Sequence, residues 1–148
     1  MSNLTLDFLK TVNEAADAAL SSIEQINDEV QQNNQLFASG NTQEGLESFG
    51  EITQVLDLFV KLIGSLSSAL ENHTENFQDL KRPEAELLDC IKSLFEAQVA
   101  TDYSLLCDLL EHDLSANLDQ WKEQFLLPIT KACSKNIEQL TRDLKAEA

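Results

Sequence analysis

A chain of 148 residues with 26 acidic and 10 basic side chains carries a formal charge of -16, which repels phosphate backbones and anionic lipid surfaces and argues against nucleic acid or membrane partners. With 43% apolar residues it can bury a core without a disulfide or a structural metal, and with 4 Gly and 2 Pro it has few places to turn. Cys90, Cys107 and Cys133 form no Cys-x-x-Cys pair, the first residues include no basic leader, and no stretch approaches about 18 uninterrupted apolar residues, so a cytoplasmic protein with reduced thiols is expected.

Leu9, Ala16, Ile23, Val30 and Phe37 recur every seven residues, and Val12, Ala19 and Ile26 follow three residues behind the first of them. That is an a/d seam sustained over several heptads, and it predicts a helix over about 3–38. Asn33 continues the second series as a polar member, a residue type that can fix helix register. Ser39-Gly40-Asn41-Thr42 breaks the seam: Gly40 can take the left-handed conformation that closes a helix, and Asn41 with Glu44 can form a capping box for the next.

The second seam runs through Phe49, Leu56, Ile63, Leu70 and Phe77, accompanied by Ile52, Phe59, Leu66, His73 and Leu80, and predicts a helix over about 42–80. His73 then occupies a seam position where an apolar residue belongs, and its titration near neutral pH would make it a candidate switch. Lys81-Arg82-Pro83 ends that helix, and a third is expected over about 83–98 with Leu88, Ile91 and Phe95 facing inward.

Thr101 is the expected N-cap of a fourth helix over about 101–147. Leu106, Leu110, Leu114, Leu118, Trp121 and Phe125 share one broad face of it, and Ile129, Cys133, Ile137, Leu140 and Leu144 continue as a stripe. Pro128 lacks an amide hydrogen and crowds the residue four earlier, so a kink is predicted there. The fold class is therefore all-α: a single domain over 1–148, built as an elongated antiparallel four-helix bundle with coiled-coil-like heptad seams.

Catalytic motifs are absent: there is no Gly-rich phosphate loop, no Gly-x-Ser-x-Gly elbow and no zinc spacing, so no enzyme activity and no cofactor are expected. Asp108, Glu111 and His112 share a helical turn and are the candidate metal ligands, although the Glu-x-x-His pairs of di-iron bundles are missing. The charge is uneven: before residue 81 there are 13 acids against Lys10 and Lys61, and from residue 81 on there are 13 against 8 bases. Glu44, Glu47, Glu51 and Asp57 are accordingly candidate contacts for a basic protein partner. Phe77, Trp121 and Phe125, near predicted bends, are candidates for receiving an amphipathic helix. The expected function is that of a non-enzymatic adaptor or small export-type chaperone binding another protein. A metal-binding bundle, and a structural homodimer or regulatory subunit, are the alternatives.

Overall fold

The computed structural model describes residues 4–147 and is all-helical, with four helices and no strand among those residues. The expected helix start at Asn3 lies outside the described residues. α1 spans Leu6–Ala38, opened by the Thr5 hydroxyl, which accepts from the Phe8 amide at 3.1 Å. α2 spans Thr42–Leu70 and α3 Lys81–Val99. The fourth helix, α4, is continuous through five segments: α-helical over Tyr103–Asp108, Ser115–Gln120 and Leu127–Glu147, and π-helical over Leu109–Leu114 and Trp121–Leu126.

The heptad positions of the first two helices are those that are buried: Leu9, Val12, Ala16, Ala19, Ile23, Ile26 and Val30 on α1, and Phe49, Ile52, Leu56, Phe59, Ile63, Leu66 and Leu70 on α2. An apolar residue every third or fourth position keeps one stripe turned inward, and removing such side chains from water stabilises by roughly 1.5–3 kcal/mol each. α1 and α2 run antiparallel from the turn at Gly40, whose φ of +80° is the left-handed geometry that glycine tolerates. Asn33, fully buried, crosses between them and donates from Nδ2 to the Gly45 carbonyl at 2.8 Å. The capping box does not form: Asn41 makes no side-chain hydrogen bond at the start of α2.

α2 ends ten residues before its predicted limit of 80. Glu71, Asn72, His73, Thr74, Glu75 and Asn76 follow, a run dominated by residues that compete for backbone hydrogen bonds or favour turns, and it folds as turns. The chain nevertheless keeps Phe77 and Leu80 buried, on the side of α4 that carries Phe125, Pro128 and Ile129. His73 is therefore a half-buried turn residue, not a seam residue, its ring 4.6 Å from that of Phe8. α3 begins at Lys81, ahead of Pro83, which sits in the first turn where its missing amide hydrogen costs nothing. Thr101 takes φ 55° beyond the end of α3, and Asp102 replaces it as N-cap of α4, accepting from the Leu105 amide at 3.1 Å.

On α3 the buried residues are Pro83, Leu87, Leu94 and Ala97, whereas Leu88 and Phe95 are 47% and 43% exposed, so the inward face is one residue out of the predicted register. On α4 the buried series is Leu106, Leu110, Leu114, Leu118, Trp121, Leu126, Ile129 and Cys133. Steps of four residues overshoot a 3.6-residue turn, and a step of five overshoots further. The two π-turns, with more residues per turn, return each step to the core: the first within the 106–118 series, the second across the gap from Trp121 to Leu126. Leu126 thus takes the core position predicted for Phe125, which is half-buried.

By length and composition α2 alone among the described helices would suffice to cross a membrane, with a mean hydropathy of 1.3 over its most apolar stretch. The apolar residues responsible include the stripe packed on α1.

Candidate functional site

The last turns of α1 carry the uncharged run Gln31-Gln32-Asn33-Asn34-Gln35. Asn33 turns inward, and Asn34 reaches sideways to α4, donating from Nδ2 to the Cys107 carbonyl at 3.2 Å, just ahead of the first π-turn. A second bridge is aromatic: the rings of Phe37 and Tyr103 stack with centroids 5.2 Å apart. Between these two bridges α1 and α4 do not close. An open cavity of about 720 Å³ remains, lined by Gln31, Asn34, Gln35, Phe37, Thr42, Tyr103, Ser104, Cys107, Asp108 and Glu111, with Val30 and Ala38.

This wall is amide, aromatic and acidic, and no lysine, arginine or histidine lines it. Its field acts on Cys107: burial first, then the Asp108 and Glu111 carboxylates, push the thiol above its ordinary 9.0, so it is a poorer nucleophile than a free cysteine. Thr42 also borders a second open depression of about 550 Å³ around the α1–α2 turn, lined by Gly40, Asn41, Gln43, Glu44 and Glu47. The two depressions share Thr42 and lie at the same end of the bundle.

The residues singled out in the sequence separate accordingly. Asp108 and Glu111 line the depression between α1 and α4, and Glu44 and Glu47 the one around the α1–α2 turn. His112 is exposed, with Nε2 3.9 Å from the Glu111 carboxylate. Among the described residues no three His, Cys, Asp or Glu side chains come together as a metal-holding group, so Asp108, Glu111 and His112 do not assemble a binding set. Glu51 is exposed farther along α2. Asp57 pairs with Lys61 at 2.8 Å and borders a different, apolar depression between α2 and α3. Phe77 and Trp121 are core residues, 5% and 1% exposed, with Trp121 edge-on to Phe59 at 6.3 Å and 5.2 Å from Phe125. None of the three aromatics offers an open groove. Phe77 and Phe125 border only a crevice of about 70 Å³.

Sequence reasoning missed Gln31, Gln35, Phe37 and Tyr103. The available signal was five consecutive uncharged amides interrupting an acidic helix just before its turn.

The chain belongs to the family described as a domain of unknown function (DUF8042). The match covers residues 7–124 and so includes α1, α2, α3, α4 into its second π-turn, and every cavity-lining residue. No curated protein and no solved structure matches the chain.

Proposed function

We propose that this DUF8042 chain is a non-enzymatic protein-interaction module, of adaptor or chaperone type, that receives a basic segment of another protein at the acidic end of the bundle. One observation carries the reading: the cavity between α1 and α4 combines two carboxylates, a stacked aromatic pair and the side-chain amides of Gln31 and Gln35, with no cation on its wall. A lysine or arginine entering it has Asp108 and Glu111 to neutralise its charge, and the faces of Phe37 and Tyr103 to cover its aliphatic stem or meet its cation. Gln31 and Gln35 each offer a donor and an acceptor, the complement of a peptide backbone. Glu44 and Glu47 at the adjoining depression add to the negative field, which speeds the encounter of a basic partner more than it tightens the final complex.

The test is titration of a lysine- and arginine-rich peptide, against a glutamate-rich peptide of the same length, at low and high salt. Binding of the basic peptide alone, weakened by salt and lost when Asp108 and Glu111 are both changed to Lys, is the expected result. Equal binding of the two peptides, or binding indifferent to salt and to that double substitution, overturns the proposal.

A further inference from the structure

The wall of the α1–α4 cavity contains one amide that is only half used. Asn34 lines the cavity and is half-buried, and its Nδ2 donates to the Cys107 carbonyl at 3.2 Å, the long end of the ordinary range. That carbonyl fixes which way round the amide sits, because Oδ1 in the same place would set two acceptors against each other. Oδ1 is left out of reach of solvent and without a partner. Among the described residues Glu29, Asn33, Asn117 and Trp121 also hold a buried polar atom with no partner, but of these residues only Asn34 lines this cavity.

A buried acceptor left unpaired costs more than a neutral hydrogen bond returns, so Asn34 gives up little by leaving the Cys107 carbonyl. The other side-chain amides on the wall differ from it. Gln31 and Gln35 are exposed, and a partner's hydrogen bond to either replaces one that water already makes. A bond to Asn34 Oδ1 replaces none. The edge of a side-chain amide, one acceptor beside one donor, matches the N–H and C=O that a single residue of an extended peptide presents on one side.

We infer that Asn34 is the residue that holds the partner's main chain: its amide turns from the Cys107 carbonyl into the cavity, accepts a peptide N–H at Oδ1 and donates from Nδ2 to the C=O of the same peptide residue. The inference rests on the basic-segment reading above and adds that the segment binds extended, since the main-chain groups of a helix are already paired with one another. Asp108 and Glu111 then meet the side chains of the segment, and Asn34 its backbone. The Asn34 contact involves no charge, so it contributes affinity that salt does not screen.

The experiment titrates the lysine- and arginine-rich peptide into the untagged full chain and into Asn34→Leu, which keeps the size of the side chain and removes both polar atoms. Circular dichroism establishes that the variant keeps its helix content. The variant should bind about 10-fold more weakly at low and high salt alike, the equivalent of two neutral hydrogen bonds. A second peptide, N-methylated through its central residues, keeps every charge but has no N–H to give there. The natural chain should bind it more weakly than the first, and the gap between natural chain and variant should shrink to about 3-fold or less. Equal binding of the first peptide by the two proteins overturns the inference and leaves the basic-segment reading standing, whereas no binding to the natural chain overturns both. A variant weaker by the same factor for both peptides makes Asn34 a brace between α1 and α4, and overturns the inference as well.

Discussion

The side-chain amide of Gln78, in the segment joining α2 to α3, donates to the main-chain carbonyl of Gln124 in α4 at 3.2 Å. That carbonyl lies four residues before Pro128, whose ring nitrogen has no hydrogen to give it. The ladder has already shifted there: the Leu127 amide bonds the Lys122 carbonyl, five residues back. The proline's steric demand is thus met by the π-turn, and its missing donor is supplied from another part of the chain.

This pairing predicts coupling. Gln78→Leu should cost about 0.5 kcal/mol in the natural chain, because the bond is solvent-exposed and water replaces most of it. In a Pro128→Ala background, where residue 128 has an amide to offer, the same change should cost close to nothing. Urea denaturation of the four proteins in a double-mutant cycle measures the difference. Equal costs in both backgrounds would show that the Gln78 bond is incidental to the proline.

The heptad seams of α1 and α2 were legible because a straight helix packed along its whole length repeats one simple rule. Asn33 fell on the seam and is buried there. The end of α2 was concealed because Phe77 and Leu80 fall at seam intervals by coincidence of position: they are buried from an irregular segment, and spacing alone does not distinguish the two. On α3 two stripes one residue apart compete, and only the neighbours decide which faces inward. On α4 the four- and five-residue steps were in the sequence, but steps that do not fit 3.6 become informative only if the helix is allowed to widen. For the candidate site, Asp108, Glu111, Glu44 and Glu47 were each found by their acidity. Their assembly at one end depends on α4 returning antiparallel to α1, which no local pattern states.

The lone tryptophan provides a direct test of the α4 register. Trp121 is 1% exposed, its indole Nε1 has no hydrogen-bond partner, and it packs against Phe59 and Phe125. Its fluorescence should be blue-shifted, resist quenching by iodide, and move red together with the loss of helix on unfolding. Ready quenching in the folded protein would put Trp121 outside the core and remove the basis for the second π-turn.

The start of α2 predicts opposite signs for the same substitution at two glycines. A methyl group on Gly45 would lie 2.8 Å from the Phe37 ring, which is held by its stack on Tyr103, whereas one on Gly50 meets nothing within 4 Å. Alanine favours a helix over glycine by about 1 kcal/mol, and overpacking costs about 1–3 kcal/mol. Gly50→Ala should therefore raise stability by up to about 1 kcal/mol, while Gly45→Ala should lower it by about 1 kcal/mol and disturb the Tyr103 ring signals. Combining Gly45→Ala with Phe37→Ala should restore the helix gain relative to Phe37→Ala alone. Thermal melts of the series check this, and a stabilising Gly45→Ala in the natural background would refute the close approach that shapes the cavity wall.

Alkaline pH acts on the buried thiols. Burial first, and then the Asp17 carboxylate across the α1–α4 contact, push Cys133 up to about 11 from an ordinary 9.0; burial and then Asp113 do the same for Cys90. A thiol raised in the folded state keeps its proton longer there than in the unfolded chain. Its stabilising contribution is complete below 9.0 and is lost as pH climbs toward 11, because the unfolded thiol ionises first. For the fully buried Cys133 the loss is on the order of 2–3 kcal/mol. Denaturation midpoints followed through this window for the natural chain and for Cys133→Val, which keeps an apolar side chain of similar size, isolate the effect from the titration of tyrosine and lysine common to both. The two curves should separate between 9.0 and about 11, with the valine variant losing less. Parallel curves would mean that Cys133 meets water in the folded state, and that α4 does not seal against α1 at this level of the bundle.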